Sequence, residues 1–123
     1  MRELSAAAHD HFAHPRHAGD LDADQPGVIT VRAEVPTSGE ILQLQLHVNE
    51  RGVIAETRFK AYGCGWLIAC GSLLTERIAG LTLAEAGRFR HHELVERLTV
   101  PPEKLHCAVL AETALQTALR SLT

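Results

Sequence analysis

The sequence predicts an α+β fold in which helices cover one side of a three-stranded antiparallel sheet. The first half of the chain carries three runs in which hydrophobic and polar residues alternate, a pattern typical of strands that bury one face. The second half spaces its hydrophobic residues three or four positions apart, as an amphipathic helix does. Strands followed by helices indicate an α+β architecture.

Length and composition agree with one globular domain over residues 1–123. Hydrophobic residues make up 46% of the 123, and the formal net charge is −3. A chain of this size buries one hydrophobic core. The mild negative charge lacks the basic footprint of a nucleic-acid-binding domain, and no apolar run approaches the ~20 residues of a membrane span. We therefore expect neither nucleic acid nor a membrane among its partners.

Cysteine usage and the N-terminal segment bear on location. Three cysteines cannot all pair with one another, so we expect free thiols in a reducing compartment. Met1–Ala8 contains an acidic residue and has no apolar core region, so it does not resemble a secretory signal. Both features favour a cytoplasmic protein.

The N-terminal segment is predicted to form a helix and then a loop. Apolar residues from Leu4 to Phe12 recur at helical spacing, which predicts a helix over Glu3–His14. Pro15 ends it, because proline cannot continue a helix. The polar stretch Asp20–Gly27 is predicted to be a loop.

Three strands are expected next, over Val28–Val35, Ile41–Val48 and Val53–Tyr62. Their connectors, Pro36–Gly39 and Asn49–Gly52, are short and rich in turn-forming residues, so the strands form an antiparallel meander. We expect one face of the sheet to be wet. The other face combines Ile29, Val31, Ala33 and Val35 with Leu42, Leu44, Leu46 and Val48, and with Val53, Ala55, Thr57, Phe59 and Ala61.

Four helices are predicted in the second half. The first spans Trp66–Ala79, and Gly80 is its expected C-cap. A capping-box pattern, Thr82 with Glu85, begins a short helix. A second short helix covers His92–Leu98, and a long one covers Glu103–Ser121.

Two cysteines lie in sequence contexts that favour reactive thiolates. Cys64 follows the third strand and is flanked by glycines, which leave its sulfur accessible. Cys107 lies near the start of the last helix, beside His106, and a helix N-terminus favours the thiolate. Thiolates are both sulfur nucleophiles and soft metal ligands. The pair therefore predicts a metal or sulfur site, although each cysteine also has a purely structural interpretation.

Several motifs in this order resemble the iron–sulfur cluster assembly scaffold family, of the IscU and NifU N-terminal type. The resemblance covers nearly the whole chain. It rests on His11-Phe12, Pro15-Arg16 and Gly19, on Phe59–Gly65, on Pro101–Cys107 and on Leu110–Glu112. The fold that the resemblance implies, an IscU/SufE-like sheet packed with helices, agrees with the patterns described above.

The chain departs from the family at the turn between its first two strands. The family has cysteine, glycine and aspartate there, whereas this chain has Ser38, Gly39 and Glu40. A serine hydroxyl stays protonated near neutral pH and is a poor ligand for a soft metal. The resemblance therefore implies a ligand set of Glu40, Cys64, His106 and Cys107, with Ser38 and Cys70 as weaker members. Such a set suits zinc, and it also suits iron or a transient [2Fe–2S] cluster.

Cys70 has two interpretations. It supplies a thiolate in place of Ser38, or it is a core residue in the apolar stripe of its helix. A helical path from Cys64 separates the two cysteines by roughly 9 Å, which favours the core. Trp66 beside the cysteine loop either shields the site from water or only packs.

Other candidate residues also have more than one interpretation. The histidines His9, His11, His14 and His17 favour a solvated helix or a docking surface over a metal site, because Pro15 interrupts their helix. Pro101 and Pro102 start a helix. Lys104 either steers a sulfur donor towards the site or is only an exposed residue at the start of that helix. In the family, this proline segment is recognised by an Hsp70-type chaperone and its J-protein. Val100 and Glu103 here replace two of the usual residues.

The resemblance implies a scaffold rather than an enzyme. A cysteine desulfurase would deliver sulfur to Cys64 or Cys107, and the site would hold iron or a transient [2Fe–2S] cluster for apo iron–sulfur proteins. One alternative is a zinc-bound sulfur acceptor of the SufU kind. The other is a degenerate module that binds the desulfurase and modulates it without carrying a cluster.

Overall fold

The structure is a computed structural model that describes residues 4–122. The predicted start of the first helix at Glu3 lies outside the described residues. The helices and strands, in chain order, are α1 (Ala6–Ala13), β1 (Val28–Val35), β2 (Glu40–Val48), β3 (Ile54–Tyr62), α2 (Gly65–Ile78), α3 (Leu83–Ala86), α4 (His91–Leu98), a 3₁₀ turn (Pro102–Lys104) and α5 (Leu105–Ser121).

The sheet is a three-stranded antiparallel meander in the order β1-β2-β3. Val31 of β1 lies opposite Leu44 of β2, which in turn lies opposite Phe59 of β3. All three side chains are buried. Helices α2 and α5 pack on this face, α2 against β3 and α5 against β1 and β2. The predicted α+β class and strand order are confirmed.

The start of β3 differs from the prediction. The register shifts between His47 and Val48, so that Val48 pairs with Ile54 and Ala55 has no partner across the ladder. Ile54 is fully buried, whereas Ala55 is exposed. The prediction that Ala55 shares the inner face with Thr57 is therefore wrong. A β-bulge inserts one residue and reverses the faces beyond it.

The second face of the sheet is less open than expected, because the segment after α1 first pairs with the edge of β3 and then passes over this face. The carbonyl of His17 accepts the N–H of Phe59 at 3.0 Å, and the N–H of Gly19 donates to the carbonyl of Phe59 at 3.1 Å. Farther along, the N–H of Leu21 donates to the side-chain oxygen of Gln45 at 2.7 Å. Gln45 is buried as a result.

The long C-terminal helix starts two residues later than predicted. Pro102–Lys104 form a 3₁₀ turn, and α5 begins at Leu105. This turn makes Cys107 the third residue of α5, so its side chain lies at the helix N-terminus. Within residues 4–122, no helix combines the length and apolar character that crossing a membrane requires.

Candidate metal centre

Three separate segments meet at one end of the sheet. Glu40 begins β2, directly after the turn that joins it to β1. Its neighbour Ile41 pairs with Tyr62, so the start of β2 lies beside the end of β3. Cys64 follows β3 by two residues and precedes α2. The start of α5, which packs against β1 and β2, brings in the third segment.

The predicted ligands Glu40, Cys64, His106 and Cys107 converge there. Nε2 of His106 is 2.7 Å from Oε1 of Glu40. Oε2 of Glu40 accepts from the Cys64 thiol at 3.5 Å and from the Cys107 thiol at 3.9 Å. The two sulfur atoms are 3.8 Å apart. Ligand atoms of Glu40, His106 and Cys107 all lie within 4.8 Å of one another, and Cys64 adjoins them through Glu40 and Cys107.

Gly63 allows Glu40 to lie against the cysteine loop. A β-carbon added at Gly63 would be 2.8 Å from Oε2 of Glu40 and 2.9 Å from its Cγ. Real side chains do not approach so closely, so a residue with a side chain at position 63 would displace the carboxylate. Close approach of another group is a common reason for glycine in a loop. The sequence shows the glycine but not the neighbour that requires it.

The electrostatics of the site correct one prediction. Burial raises the pKa of Cys107, and the nearby Cys64 and Glu40 raise it further. In the free site Cys107 is therefore a protonated thiol, and the helix N-terminus does not make it a thiolate. Burial alone would raise the pKa of Glu40, but hydrogen bonds from His106 and Cys64 outweigh burial and hold it below its ordinary value. A bound cation would deprotonate a coordinating thiol.

The donor set fits a metal ion. Two sulfurs, one imidazole nitrogen and one carboxylate oxygen are ligands that tetrahedral zinc accepts. The site is accessible from one side: the side chain of His106 is 38% exposed and that of Glu40 is 12% exposed. Cys64 is half-buried and Cys107 is fully buried. The centre is therefore partly accessible to solvent.

The two weaker candidates are placed differently. Ser38 is exposed, and its hydroxyl donates to Oε1 of Glu40 at 3.3 Å. It therefore contacts a predicted ligand. Cys70 is fully buried on α2. Burial, followed by the effect of Cys64, raises the pKa of Cys70 to about 12, which agrees with a core cysteine.

The residues predicted to contact a partner lie beside the site. Pro101 is buried, Pro102 is exposed and Lys104 is half-buried. The N–H of Lys104 donates to the carbonyl of Pro101 at 2.9 Å, which closes the 3₁₀ turn. Trp66 is only 2% exposed, so it packs inside the molecule.

The N-terminal histidines do not converge. His11 is buried, and its Nδ1 is 2.7 Å from the hydroxyl of Ser72 on α2. Nδ1 of His17 is 3.0 Å from the hydroxyl of Thr57. His9 and His14 are exposed. Two of the four histidines thus attach the N-terminal segment to the rest of the fold.

Sequence reasoning missed a group of exposed apolar side chains around the centre. Phe12, Tyr62 and Leu105 are 42%, 52% and 42% exposed. Tyr62 precedes the cysteine loop and Leu105 precedes His106. A β-carbon added at Gly65 would be 3.3 Å from the ring of Phe12, so this ring lies beside the start of α2. The sequence offered one sign of this group, because each of the three residues lies within one of the motifs that carry the family resemblance.

Comparisons with known proteins agree with the geometry. The family model of the NifU-like N terminal domain matches residues 4–123. The iron–sulfur cluster assembly scaffold protein IscU of Azotobacter vinelandii is 46% identical over 111 residues, covering 90% of this chain and 87% of that protein. The protein of the same name from Escherichia coli K12 is 40% identical over 110 residues, covering 89% of this chain and 86% of that protein.

Solved structures show the same fold. A putative iron–sulfur cluster assembly scaffold protein for the SUF system, from Fervidobacterium islandicum AW-1, superposes with a TM-score of 0.75. The match covers 94% of this chain and 95% of that chain at 18% identity, so it supports the fold alone. The family model extends over almost the whole chain, and relatives that share 40% or more of their residues cover about nine-tenths of it. This chain therefore belongs to the NifU-like N-terminal domain family.

Proposed function

We propose that this chain is an iron–sulfur cluster assembly scaffold. It accepts sulfur from a cysteine desulfurase on Cys64 or Cys107, holds iron or a transient [2Fe–2S] cluster, and passes the cluster to apo iron–sulfur proteins. The observation that carries the proposal is the meeting of Glu40, Cys64, His106 and Cys107 from three distant segments at one accessible point. The relatives described above, which are named as such scaffolds, support it.

The residues have separate tasks in this function. Cys64 and Cys107 supply soft sulfur ligands for iron. Glu40 contacts His106 and both thiols, so its carboxylate keeps these side chains together before the cargo arrives. The partial exposure of His106 and Cys64 leaves a route for entry and for release.

Anaerobic reconstitution of the full chain with ferrous iron and sulfide tests the proposal. The unmodified chain is expected to develop visible cluster absorption. Cys64→Ser and Cys107→Ser are expected to lower the cluster yield roughly tenfold or more, because each variant lacks one of the two sulfur ligands. Cys70→Ala is the matched control, because Cys70 is a buried cysteine outside the converging group. No visible absorption from the unmodified chain would contradict the proposal.

The donor set supports a second candidate function, a zinc-bound sulfur acceptor. Its two sulfurs, nitrogen and oxygen suit a tetrahedral zinc site, and a bound zinc ion would keep the thiols deprotonated. Metal analysis of the chain after anaerobic purification separates the candidates. Zinc close to one per chain, with no cluster formed on reconstitution, supports the acceptor. Incorporation of iron and sulfide supports the scaffold.

A further inference from the structure

The two thiols of the centre lie close enough to react with each other as well as to share a metal ion. The sulfur atoms of Cys64 and Cys107 are 3.8 Å apart, close to van der Waals contact. Both are free thiols. They come from different elements, one from the loop before α2 and the other from the start of α5. A disulfide bond requires the sulfurs to approach to about 2 Å.

We propose that this pair releases accepted sulfur as sulfide by intramolecular thiolysis. A persulfide formed on one cysteine is attacked by the thiol of the other, which leaves a Cys64–Cys107 disulfide and frees hydrogen sulfide. The inference rests on the proposed function, because the desulfurase supplies the persulfide. It adds an activity to that function, since the chain converts the sulfur it accepts into the form that a cluster needs.

The step balances without an outside reductant. The second thiol forms a bond to the persulfide sulfur that is attached to the protein, and the bond between the two persulfide sulfurs breaks. The sulfur of the attacking thiol is oxidised to the disulfide level, the protein-attached sulfur of the persulfide keeps its oxidation level, and the terminal sulfur is reduced to sulfide. The attacking thiol gives its proton to the departing hydrosulfide, so protons balance as well. A dithiol reductant then restores the thiols for another cycle.

Glu40 is placed to carry that proton. Its Oε2 accepts from the Cys64 thiol at 3.5 Å and from the Cys107 thiol at 3.9 Å. The carboxylate therefore contacts both possible attacking groups, whichever cysteine receives the sulfur first. His106 holds the other oxygen of Glu40 at 2.7 Å and fixes the orientation of the carboxylate.

The other nearby groups do not compete for the reaction. Ser38 contributes a hydroxyl, which cannot form a disulfide, and it contacts Glu40 rather than a sulfur. Cys70 is fully buried and lies outside the converging group. The two thiols in contact therefore direct the reaction to one product.

The experiment uses the metal-free full chain, kept anaerobic with a chelator and without small thiols. The chain is loaded with inorganic disulfide (Na₂S₂) and rapidly desalted, and both its intact mass and the free sulfide are followed. We expect the mass increase of one sulfur atom to disappear as one sulfide is released per chain. Peptide mapping is then expected to find a Cys64–Cys107 disulfide. A mock-loaded sample shows whether any disulfide arises without a persulfide.

Variants separate this reaction from simple persulfide decay. Cys64→Ser and Cys107→Ser are each expected to keep the sulfur on the remaining cysteine and to release sulfide at least roughly tenfold more slowly, because the neighbouring thiol is lost. Cys70→Ala is expected to behave like the unmodified chain. The mapped disulfide in the unmodified chain does not depend on whether a variant folds.

Two negative results would contradict different parts of the proposal. A stable persulfide on the unmodified chain, with sulfide release as slow as in the single-cysteine variants, overturns the thiolysis and leaves sulfur acceptance intact. If a cysteine desulfurase with its cysteine substrate transfers no sulfur to Cys64 or Cys107, the proposed function itself fails.

Discussion

Glu40 is the side chain on which the geometry of the centre depends. One of its oxygens contacts His106, and the other contacts both thiols. The backbone of Gly63 lies against it. The carboxylate is therefore fixed from several directions, and its position reports on whether the centre is intact. A substitution that keeps all four ligand residues but moves the Glu40 carboxylate tests how far metal binding depends on its position.

Gly63→Ala makes that change. The added β-carbon would be 2.8 Å from Oε2 of Glu40, so we expect the carboxylate to move and zinc affinity to fall roughly tenfold. Competition with a chromophoric chelator measures the affinity. Gly87→Ala is the matched control, because a β-carbon there meets only ordinary contacts, 3.4 Å or longer. Equal affinities for the two variants would show that Gly63 does not position the site.

Helix α4 depends on a side chain from another helix. Glu112 of α5 accepts the backbone N–H of His91 at 2.6 Å and lies 2.8 Å from its Nδ1. His91 is the first residue of α4, so Glu112 serves as a cap for its N-terminus. Burial would raise the pKa of Glu112, but the hydrogen bonds from His91 outweigh it and hold the pKa below its ordinary value.

Glu112→Gln is expected to lower the free energy of unfolding by about 1 kcal/mol at neutral pH, the usual effect of weakening a helix cap. Because the pKa of Glu112 is lower in the folded state, its stabilising effect is present above the ordinary value of 4.5 and is lost as pH falls through the folded value. Urea unfolding across acidic pH measures both effects. Glu96→Gln, an exposed change on α4, is the control, and a loss of equal size there would contradict the capping role.

Helix α1 is attached to α2 through His11. Its Nδ1 is 2.7 Å from the Ser72 hydroxyl, which also accepts the N–H of Arg16 at 2.8 Å. When the His11 ring is neutral and Nδ1 carries no proton, the Ser72 hydroxyl donates to it. Burial lowers the pKa of His11, and the nearby Arg16 lowers it further.

We therefore expect stability to fall in mildly acidic solution. The unfolded chain takes up a proton near the ordinary His11 value of 6.5, whereas the folded chain resists it. Stability is full above that pH and declines as pH falls towards the lower folded pKa. Thermal unfolding across this range is expected to show a flatter profile for His11→Gln. His9→Gln, on the exposed side of α1, should keep the original profile, and identical profiles for both would refute the assignment.

Most helices and strands were predictable, because alternation, helical spacing and capping residues depend only on neighbouring positions in the chain. Alternation identified the three strands, and the capping box at Thr82 placed α3. The bulge at Ala55 was not predictable in this way, because it depends on how β3 pairs with β2. The start of α5 was also misplaced. The two prolines predicted it at Glu103, but a 3₁₀ turn comes first and α5 begins at Leu105.

The centre as a whole was only partly predictable. The family resemblance supplied the four converging side chains, but the protonation of Cys107 depends on how deeply α5 buries it. Neither this burial nor the group of exposed apolar side chains at Phe12, Tyr62 and Leu105 follows from periodicity. Both arise from packing between segments that are distant in the chain.

Metal binding is expected to stabilise the entire molecule, because the ligands join β2, the loop before α2, and α5. An ion that binds only the folded chain adds about 2.7 kcal/mol of stability when its concentration is one hundred times its dissociation constant. Thermal unfolding with and without zinc measures the shift. Cys70→Ala should show the same shift and Cys107→Ser a much smaller one. An unchanged Tm for the unmodified chain would exclude a site of this kind.

The separation of the ligands along the chain also bears on biosynthesis. Glu40 and Cys64 leave the ribosome well before His106 and Cys107, and α5 must pack on the sheet before the four side chains meet. A nascent chain that has not yet produced α5 therefore offers only half of a coordination sphere. The complete set of four ligands is assembled only after α5 has been synthesised and has packed on the sheet.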